Sequence, residues 1–357
     1  MRPLRVGCYI LLGILIAAGT METVLRFLPV TRGLFRTLEG DLWPLHAFTP
    51  QTRYSYSMTW DFQNRQDGST NNYGHLAPFD FVKDSKPIIV LGDSFIEAQM
   101  LAYADTLQGN LSQLLGSKVP VYGLGISGNS IAEHLALAPL AKREFQPRAA
   151  VVLLNDQDFS DSIGRKPNHY FFELKDGKFD LAYQSPRNIS LARKIREPIG
   201  DSALYRYIFS NLRFSPGDLM KGLESASGSS GESPSPPSKL PQELVAVVDV
   251  FLSEFNARSG ISPRCMVFLF DSDRQSLYKA GYAASAESPS ALQQHFSRHA
   301  EQAGYKVVDT KKLFGYHYSI HRQRFDFSPI DGHWNWLGHK IAAHAAFEAL
   351  RQSPDCL

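Results

Sequence analysis

The chain has 357 residues, 43% of them hydrophobic and 12% aromatic, enough for one large domain with a real core plus appendages. A formal net charge of +2 without a long basic block argues against a dedicated nucleic-acid binder, so no nucleic-acid partner is expected. Three cysteines, Cys8, Cys265 and Cys356, make neither a disulfide framework nor a metal-ligand spacing, and Cys265 reads as a buried core residue.

The first element is an apolar run from Val6 to Met21, preceded by Arg2 and Arg5 and closed by Glu22. As a helix it sits at the short edge of a membrane span, which Arg5 can extend by snorkelling. A cleaved signal peptide shares the charged start and short apolar core. The chain offers no clear small-x-small cleavage site, and Glu22 to Phe27 continues the amphiphilic pattern. Residues 1–25 are therefore read as an uncleaved single-pass anchor with the following domain extracytoplasmic, although Arg26, Arg32 and Arg36 offset Arg2 and Arg5 in the positive-inside count.

Residues 26–84 read as a small β-rich lead-in, with one or two short strands in Tyr54 to Phe62 and a turn at Asn71-Asn72-Tyr73-Gly74. From residue 85 to 357 the pattern is regular. Pro87 to Leu91 is a buried strand, and Thr106 to Leu115 is a helix with Asp105 placed to cap it and Gly116 to end it. Val119 to Tyr122 is a strand, Ile131 to Phe145 a helix despite Pro139, and Ala149 to Leu154 a strand with no polar interruption. The alternation breaks over an irregular insertion, 157–241, which ends in a Ser/Gly/Pro tract at 224–241 that cannot build a core. It resumes with a helix from Gln242 to Phe255, a strand from Cys265 to Phe270, a helix from Ala291 to Ala303, a strand from Lys306 to Val308 and a helix from Leu337 to Leu350. This predicts a doubly wound three-layer α/β/α domain on a mainly parallel five-stranded sheet.

Ligands of open parallel sheets bind beyond the carboxyl ends of the strands. Ser94, in Gly92-Asp93-Ser94-Phe95, follows the first strand; Ser127-Gly128-Asn129 follows the second and Asn155-Asp156 the third. Asp331-Gly332-His333 is expected in the connection after the last strand. One rim thus collects a hydroxyl, an imidazole to take its proton and a carboxylate to orient the imidazole, the set required for acyl transfer by serine.

The four blocks, in this order, resemble those of the SGNH hydrolases, the GDSL-like esterase and lipase superfamily, over roughly Lys86 to Leu350. The resemblance implies Ser94 as nucleophile, His333 as base and Asp331 as its carboxylate, with an oxyanion hole formed by Ser94, Gly128 and Asn155. It implies no cofactor. Two departures stand out: Leu153 occupies the place of the usual third-block glycine, and Asp331 lies two residues before His333 rather than three. A similar Asp-x-His-Trp spacing occurs in related exopolysaccharide-modifying acetyltransferases. An anchored GDS-Phe domain also resembles bacterial envelope-polysaccharide enzymes, which implies the periplasmic side of the inner membrane and an ester or acylated-glycan substrate. The function expected is a serine esterase. The alternatives are an O-acyltransferase acting on an envelope glycan and a degenerate membrane-anchored scaffold. Nothing in the residues addresses the oligomeric state.

Other residues admit plainer readings. Ser127, the rival nucleophile, reads as a turn or cap residue, Asp156 as shaping its loop through backbone amides, and His339 as packing or capping. Gly123 to Gly128 satisfies a dinucleotide fingerprint, but Arg148 stands where an acidic ribose ligand belongs. His295/His299 and His317/His321 have the four-residue spacing of helical metal ligands without an acidic or Cys partner in sequence, so no metal is expected. Asn155→Ala is expected to cost about a hundredfold to a thousandfold in turnover with little effect on folding.

Overall fold

The computed structural model describes residues 2–36, 47–185, 200–214, 240–271, 273–280 and 289–357. Residues 224–239 of the expected Ser/Gly/Pro tract lie outside them. The chain divides into two compact units.

The first unit comprises Met1–Phe35, Thr52–Gly68 and Asn188–Pro236. Its opening helix α1 (Arg2–Leu25) carries a 21-residue stretch, Arg5–Leu25, long and apolar enough to cross a membrane, and 6% of that stretch is buried. A signal sequence meets the same criterion. The far end of α1 is tied into the unit. Glu22 accepts hydrogen bonds from Ala203 N (3.1 Å), Leu204 N (2.8 Å) and Ser202 Oγ (2.8 Å), and Leu25 is buried with Val30 and Ala203. Strands β1 (Arg53–Met58) and β2 (Gln63–Ser69) form a two-stranded sheet. Buried Asn211 donates to Ser57 Oγ (2.7 Å) and accepts from Thr31 N (3.0 Å).

The second unit comprises Arg36–Gln51, Ser69–Arg187 and Pro237–Leu357. Its centre is a five-stranded parallel sheet of β3 (Ile88–Leu91), β4 (Val121–Gly123), β5 (Ala149–Leu154), β8 (Met266–Phe270) and β9 (Lys306–Asp309), in the spatial order β4-β3-β5-β8-β9. Every residue of β3, β5 and β8 is buried, because helices cover both faces and leave no solvent side for an alternating pattern. The order places a topological switch point between β3 and β5, where doubly wound sheets open a crevice beyond the strand ends. The expected α/β/α class is the observed one.

Helices α2 (Ser94–Glu97), α3 (Leu107–Leu114), α4 (Ile131–Phe145) and α5 (Asp156–Asp161) follow the first three sheet strands. Thr106, not Asp105, caps α3: its hydroxyl accepts from Gly109 N, while Asp105 ends a preceding 3-10 turn. Ser130 and Glu133 form a reciprocal capping box on α4, which fixes that helix start despite Pro139 downstream.

The region after β5 holds a hairpin absent from the expectation, β6 (His169–Lys175) paired antiparallel with β7 (Lys178–Gln184) around Asp176-Gly177. Beyond it, α6 (Ala203–Arg206) belongs to the first unit, and α7 (Gln242–Ser259), α8 (Arg274–Ala280), α9 (Ala291–Gln302) and α10 (Thr310–His321) to the second. A small antiparallel pair, β10 (Asp326–Phe327) and β11 (Asp331–Trp334), precedes α11 (Trp336–Arg351).

Cysteine usage is a correction. Cys265 and Cys356 form a disulfide across a sequence separation of 91, with Cα atoms 5.3 Å apart, while Cys8 is free and exposed. Folding brings the start of β8 to the turn after α11, a proximity that spacing along the chain does not reveal.

Candidate active site

The Gly-Asp-Ser turn leaves β3 at its carboxyl end. Its shape depends on Ile96, around which two backbone segments close. A Cβ on Gly92 would lie 2.4 Å from Ile96 Cγ1, and one on Gly125 would lie 2.5 Å from Ile96 Cβ and 2.6 Å from Glu97 N. Glycine at both positions therefore lets the loop after β4 press against the turn after β3. Asp93 caps α2 by accepting from Phe95 N (3.0 Å), which places Ser94 as the first residue of the helix.

The Ser94 hydroxyl meets His333 Nε2 at 2.7 Å, and His333 Nδ1 bonds Asp331 Oδ1. A carboxylate can only accept, so Nδ1 carries the ring proton and neutral Nε2 accepts from Ser94. The same Oδ1 also accepts from His333 N (2.8 Å). This geometry explains the two-residue spacing. Asp331 and His333 are alternate residues of a strand and project from one face, so a separation of two suffices. Asp331 is buried, with 6% of its surface exposed. Contrary to the expectation of a plain connection, these residues lie on their own strand pair beyond α10.

That pair is held by side chains the motifs did not indicate. Arg274 on α8 ion-pairs with Asp271 beyond the end of β8 and donates through Nη2 to Gly332 O (2.6 Å). Fully buried Trp334 donates through Nε1 to the same Asp271 carboxylate (2.7 Å). The Phe95 ring lies 4.8 Å from that of His333 and 5.5 Å from that of Trp334. Asn335 caps α11 by accepting from Leu337 N and Gly338 N. No residue type in this group is diagnostic alone, so the sequence carried little signal for it.

Asn155 follows β5 and caps α5, its Oδ1 accepting from Gln157 N (2.8 Å) and Asp158 N (3.2 Å). Its Nδ2 donates to Asp158 Oδ1 (3.1 Å) and, at 3.4 Å, to Asp93 Oδ2. The loop-shaping role expected of Asp156 falls instead to buried Asp158, which also accepts from Asn155 N (2.8 Å). Burial raises the Asp93 carboxyl to about 6, with the Phe95 N–H opposing it. Burial and the nearby Asp93 charge push Asp158 well above the usual carboxylate range. Leu153, which replaces the usual glycine, is a buried strand residue paired with Leu269.

Gly128 is exposed at φ +86°, a left-handed conformation open to glycine at no steric cost. The nearest atom to a Cβ built there is His169 Cε1, at 3.9 Å. His169 Nδ1 bonds buried Glu133 (2.9 Å), which joins the β6 hairpin to the start of α4. Ser127 is fully engaged elsewhere. Its N–H and hydroxyl donate to the two oxygens of Glu97 (3.0 and 2.8 Å), itself paired with Arg36. Burial works against the Glu97 charge, but Arg36 and these donors outweigh it and lower its pKa. His339 is fully buried and accepts from Leu107 N through Nδ1 (3.0 Å), so it caps α3; burial lowers its pKa to about 3.

The reading that His295 and His299 lack an acidic partner is also corrected: Asp249 of α7 lies beside both. His317 and His321 have no such neighbour among the groups of potential metal ligands in the described residues.

No family model and no curated protein matches the chain. Among solved structures it is similar to a two-domain esterase active on acetylated mannans, co-crystallised with mannopentaose, at 10% identity and a TM-score of 0.38. That match covers 74% of this chain and 49% of the other, about half of its length. A second similarity is to a carbohydrate acetylesterase family member from Sinorhizobium meliloti, at 12% identity and a TM-score of 0.33, over 74% of this chain and 98% of that one.

Proposed function

We propose that the chain is a membrane-anchored serine esterase acting on a carboxylic ester. The observation that carries this reading is the hydrogen-bonded series Ser94–His333–Asp331 at the carboxyl rim of the sheet. His333 takes the Ser94 proton as Oγ attacks the ester carbonyl, and Asp331 holds the tautomer and stabilises the imidazolium. The imidazolium then protonates the departing alkoxide, and water releases the acyl group by the reverse sequence.

The oxyanion requires donors already in place. In this reading they are Ser94 N–H, whose helix position gives it no intrahelical acceptor, Gly128 N–H in a loop without a side chain in the way, and Asn155 Nδ2. Asn155 would turn the hydrogen of its long 3.4 Å contact with Asp93 toward the oxyanion and keep its bond to Asp158.

Two observations support an uncleaved anchor and an extracytoplasmic domain. The end of α1 is integrated into the first unit through Glu22 and Leu25, so cleavage there would remove a packed element. The Cys265–Cys356 disulfide suits an oxidising compartment such as the periplasm. Alkylation of unreduced full-length chain should modify Cys8 alone, and reaction of Cys265 without reductant would argue against that compartment. An O-acylated envelope glycan is the substrate class that the resemblance offers. The Asp331-x-His333 spacing keeps transfer to a sugar hydroxyl as a second reading.

Fluorophosphonate labelling tests the assignment. Wild type should label, while Ser94→Ala and His333→Ala should not; absence of labelling in wild type would favour the scaffold alternative. Aryl acetate turnover with and without oligosaccharide acceptors, scored as free acid against acyl-sugar, separates hydrolysis from transfer.

A further inference from the structure

Helices α7 and α9 lie side by side over the sheet, with Phe251 and Phe296 both packed against Phe268 of β8. Nearby, Asp249 of α7 faces His295 and His299, one turn apart on α9. Asp249 Oδ1 lies 2.9 Å from His299 Nδ1 and 3.6 Å from His295 Nε2, and the two imidazole centroids are 4.0 Å apart. One potential ligand atom from each residue falls within 4.8 Å of the other two.

We infer that Asp249, His295 and His299 form a binding site for one divalent first-row transition ion, bridging α7 and α9. An ordinary hydrogen-bonded pair accounts for His299, which already has the carboxylate. It leaves His295 Nε2 buried and without a hydrogen-bond partner among the described residues, beyond bonding range of the same oxygen. Such a buried ring nitrogen is costly unless something else satisfies it. A cation drawn between the three groups satisfies both imidazoles and neutralises the carboxylate, and small side-chain rotations bring the ligands to the ~2 Å distances zinc requires. Access is open, since the Asp249 and His299 side chains are 50% and 37% exposed. Two imidazoles with one carboxylate suit zinc and its neighbours and disfavour magnesium or calcium, which take oxygen ligands. The remaining position goes to water. The site uses none of the groups assigned to ester chemistry and does not depend on that assignment.

Titration of metal-free full-length chain with zinc in a calorimeter tests the inference. Wild type should bind one equivalent saturably, and a hundredfold excess over Kd should raise Tm by about 5 °C. Asp249→Asn, at an exposed position where folding is spared, should weaken binding about tenfold or more and cut the thermal shift at the same zinc concentration to about half or less. His295→Gln should do the same, and His333→Ala should leave zinc binding unchanged. Absence of saturable binding would overturn the site. So would binding that survives Asp249→Asn and His295→Gln but is lost in His333→Ala, which would place the ion at the triad instead.

Discussion

Ser94 and His333 meet at 2.7 Å, but the protein positions them by different means. Ser94 and Asn155 follow the ends of adjacent parallel strands, β3 and β5, whose backbone register directs the turns that carry them. His333 sits on a two-strand pair whose register is irregular between Asp326 and Phe327, held by Arg274, Asp271 and Trp334. Backbone ladders tolerate most single substitutions, whereas a side-chain clamp fails when one member is removed. The hydroxyl side should therefore lose chemistry without losing shape, and the imidazole side should lose alignment first.

The largest effect tests whether the two sides act as one unit. Ser94→Ala and His333→Ala should each lower kcat for an activated ester about 10⁴-fold or more, and the double variant should be little worse than either single one. Independent, multiplying losses in the double variant would mean that the two residues do not share a step.

Asn155 carries the next effect. Because it caps α5, Asn155→Ala also removes a helix cap worth about 1 kcal/mol, so the expectation of unaffected folding does not hold for that variant. Asn155→Ser keeps a capping oxygen and removes only the amide donor. It should lower kcat about 10²- to 10³-fold with Tm nearly unchanged. Equal kcat in Asn155→Ser and wild type would remove Asn155 from the proposed oxyanion hole.

The same contrast explains what could be read from the sequence. The five sheet strands and the main helices were legible because Ile88–Leu91, Ala149–Leu154 and Met266–Phe270 are continuous apolar runs, a signature of burial on both faces. Three of the rim motifs, at Ser94, Gly128 and Asn155, followed from the ends of sheet strands, whereas Asp331 and His333 lie on a separate strand pair. The clamp was illegible, because Arg274 and Asp271 matter through contacts to residues about 60 positions away, and nothing local distinguishes them. The disulfide and the Asp249 neighbour of His295 were hidden for the same reason. The hairpin of β6 and β7 carries a local signal: Asp176-Gly177, both at positive φ, is a strong turn pair between two strand-like segments.

Arg274 should act as a positioning residue. Arg274→Ala removes the bond to Gly332 O and the Asp271 ion pair, and should lower kcat about 10- to 100-fold with little change in KM. Arg274→Lys should rescue only in part, because a single ammonium cannot reproduce the fork that spans both acceptors. Trp334→Phe, which leaves Asp271 one donor short, should cost less than Arg274→Ala. If Arg274→Ala changed stability alone and left kcat intact, His333 would not depend on the clamp for its alignment.

The smallest effect belongs to Asp93 and runs in the opposite direction. Its folded pKa, about 6, lies above the ordinary value of 3.8, chiefly through burial. Between those values the native state binds more protons than the unfolded chain, so this group lowers stability as pH rises, and its full cost is present above about 6. Asp93→Asn keeps an oxygen to cap α2 and removes the buried charge. The variant should match wild type near pH 4 and become more stable by about 1–2 kcal/mol at pH 7, an amount reduced from the full pKa difference because the side chain is part-exposed. Chemical denaturation of both proteins across that range measures it. A stability difference that stayed flat with pH would show that the turn after β3 bears no charge penalty. The contrast between a backbone-set hydroxyl and a side-chain-set imidazole would then have to stand on the kinetic variants alone.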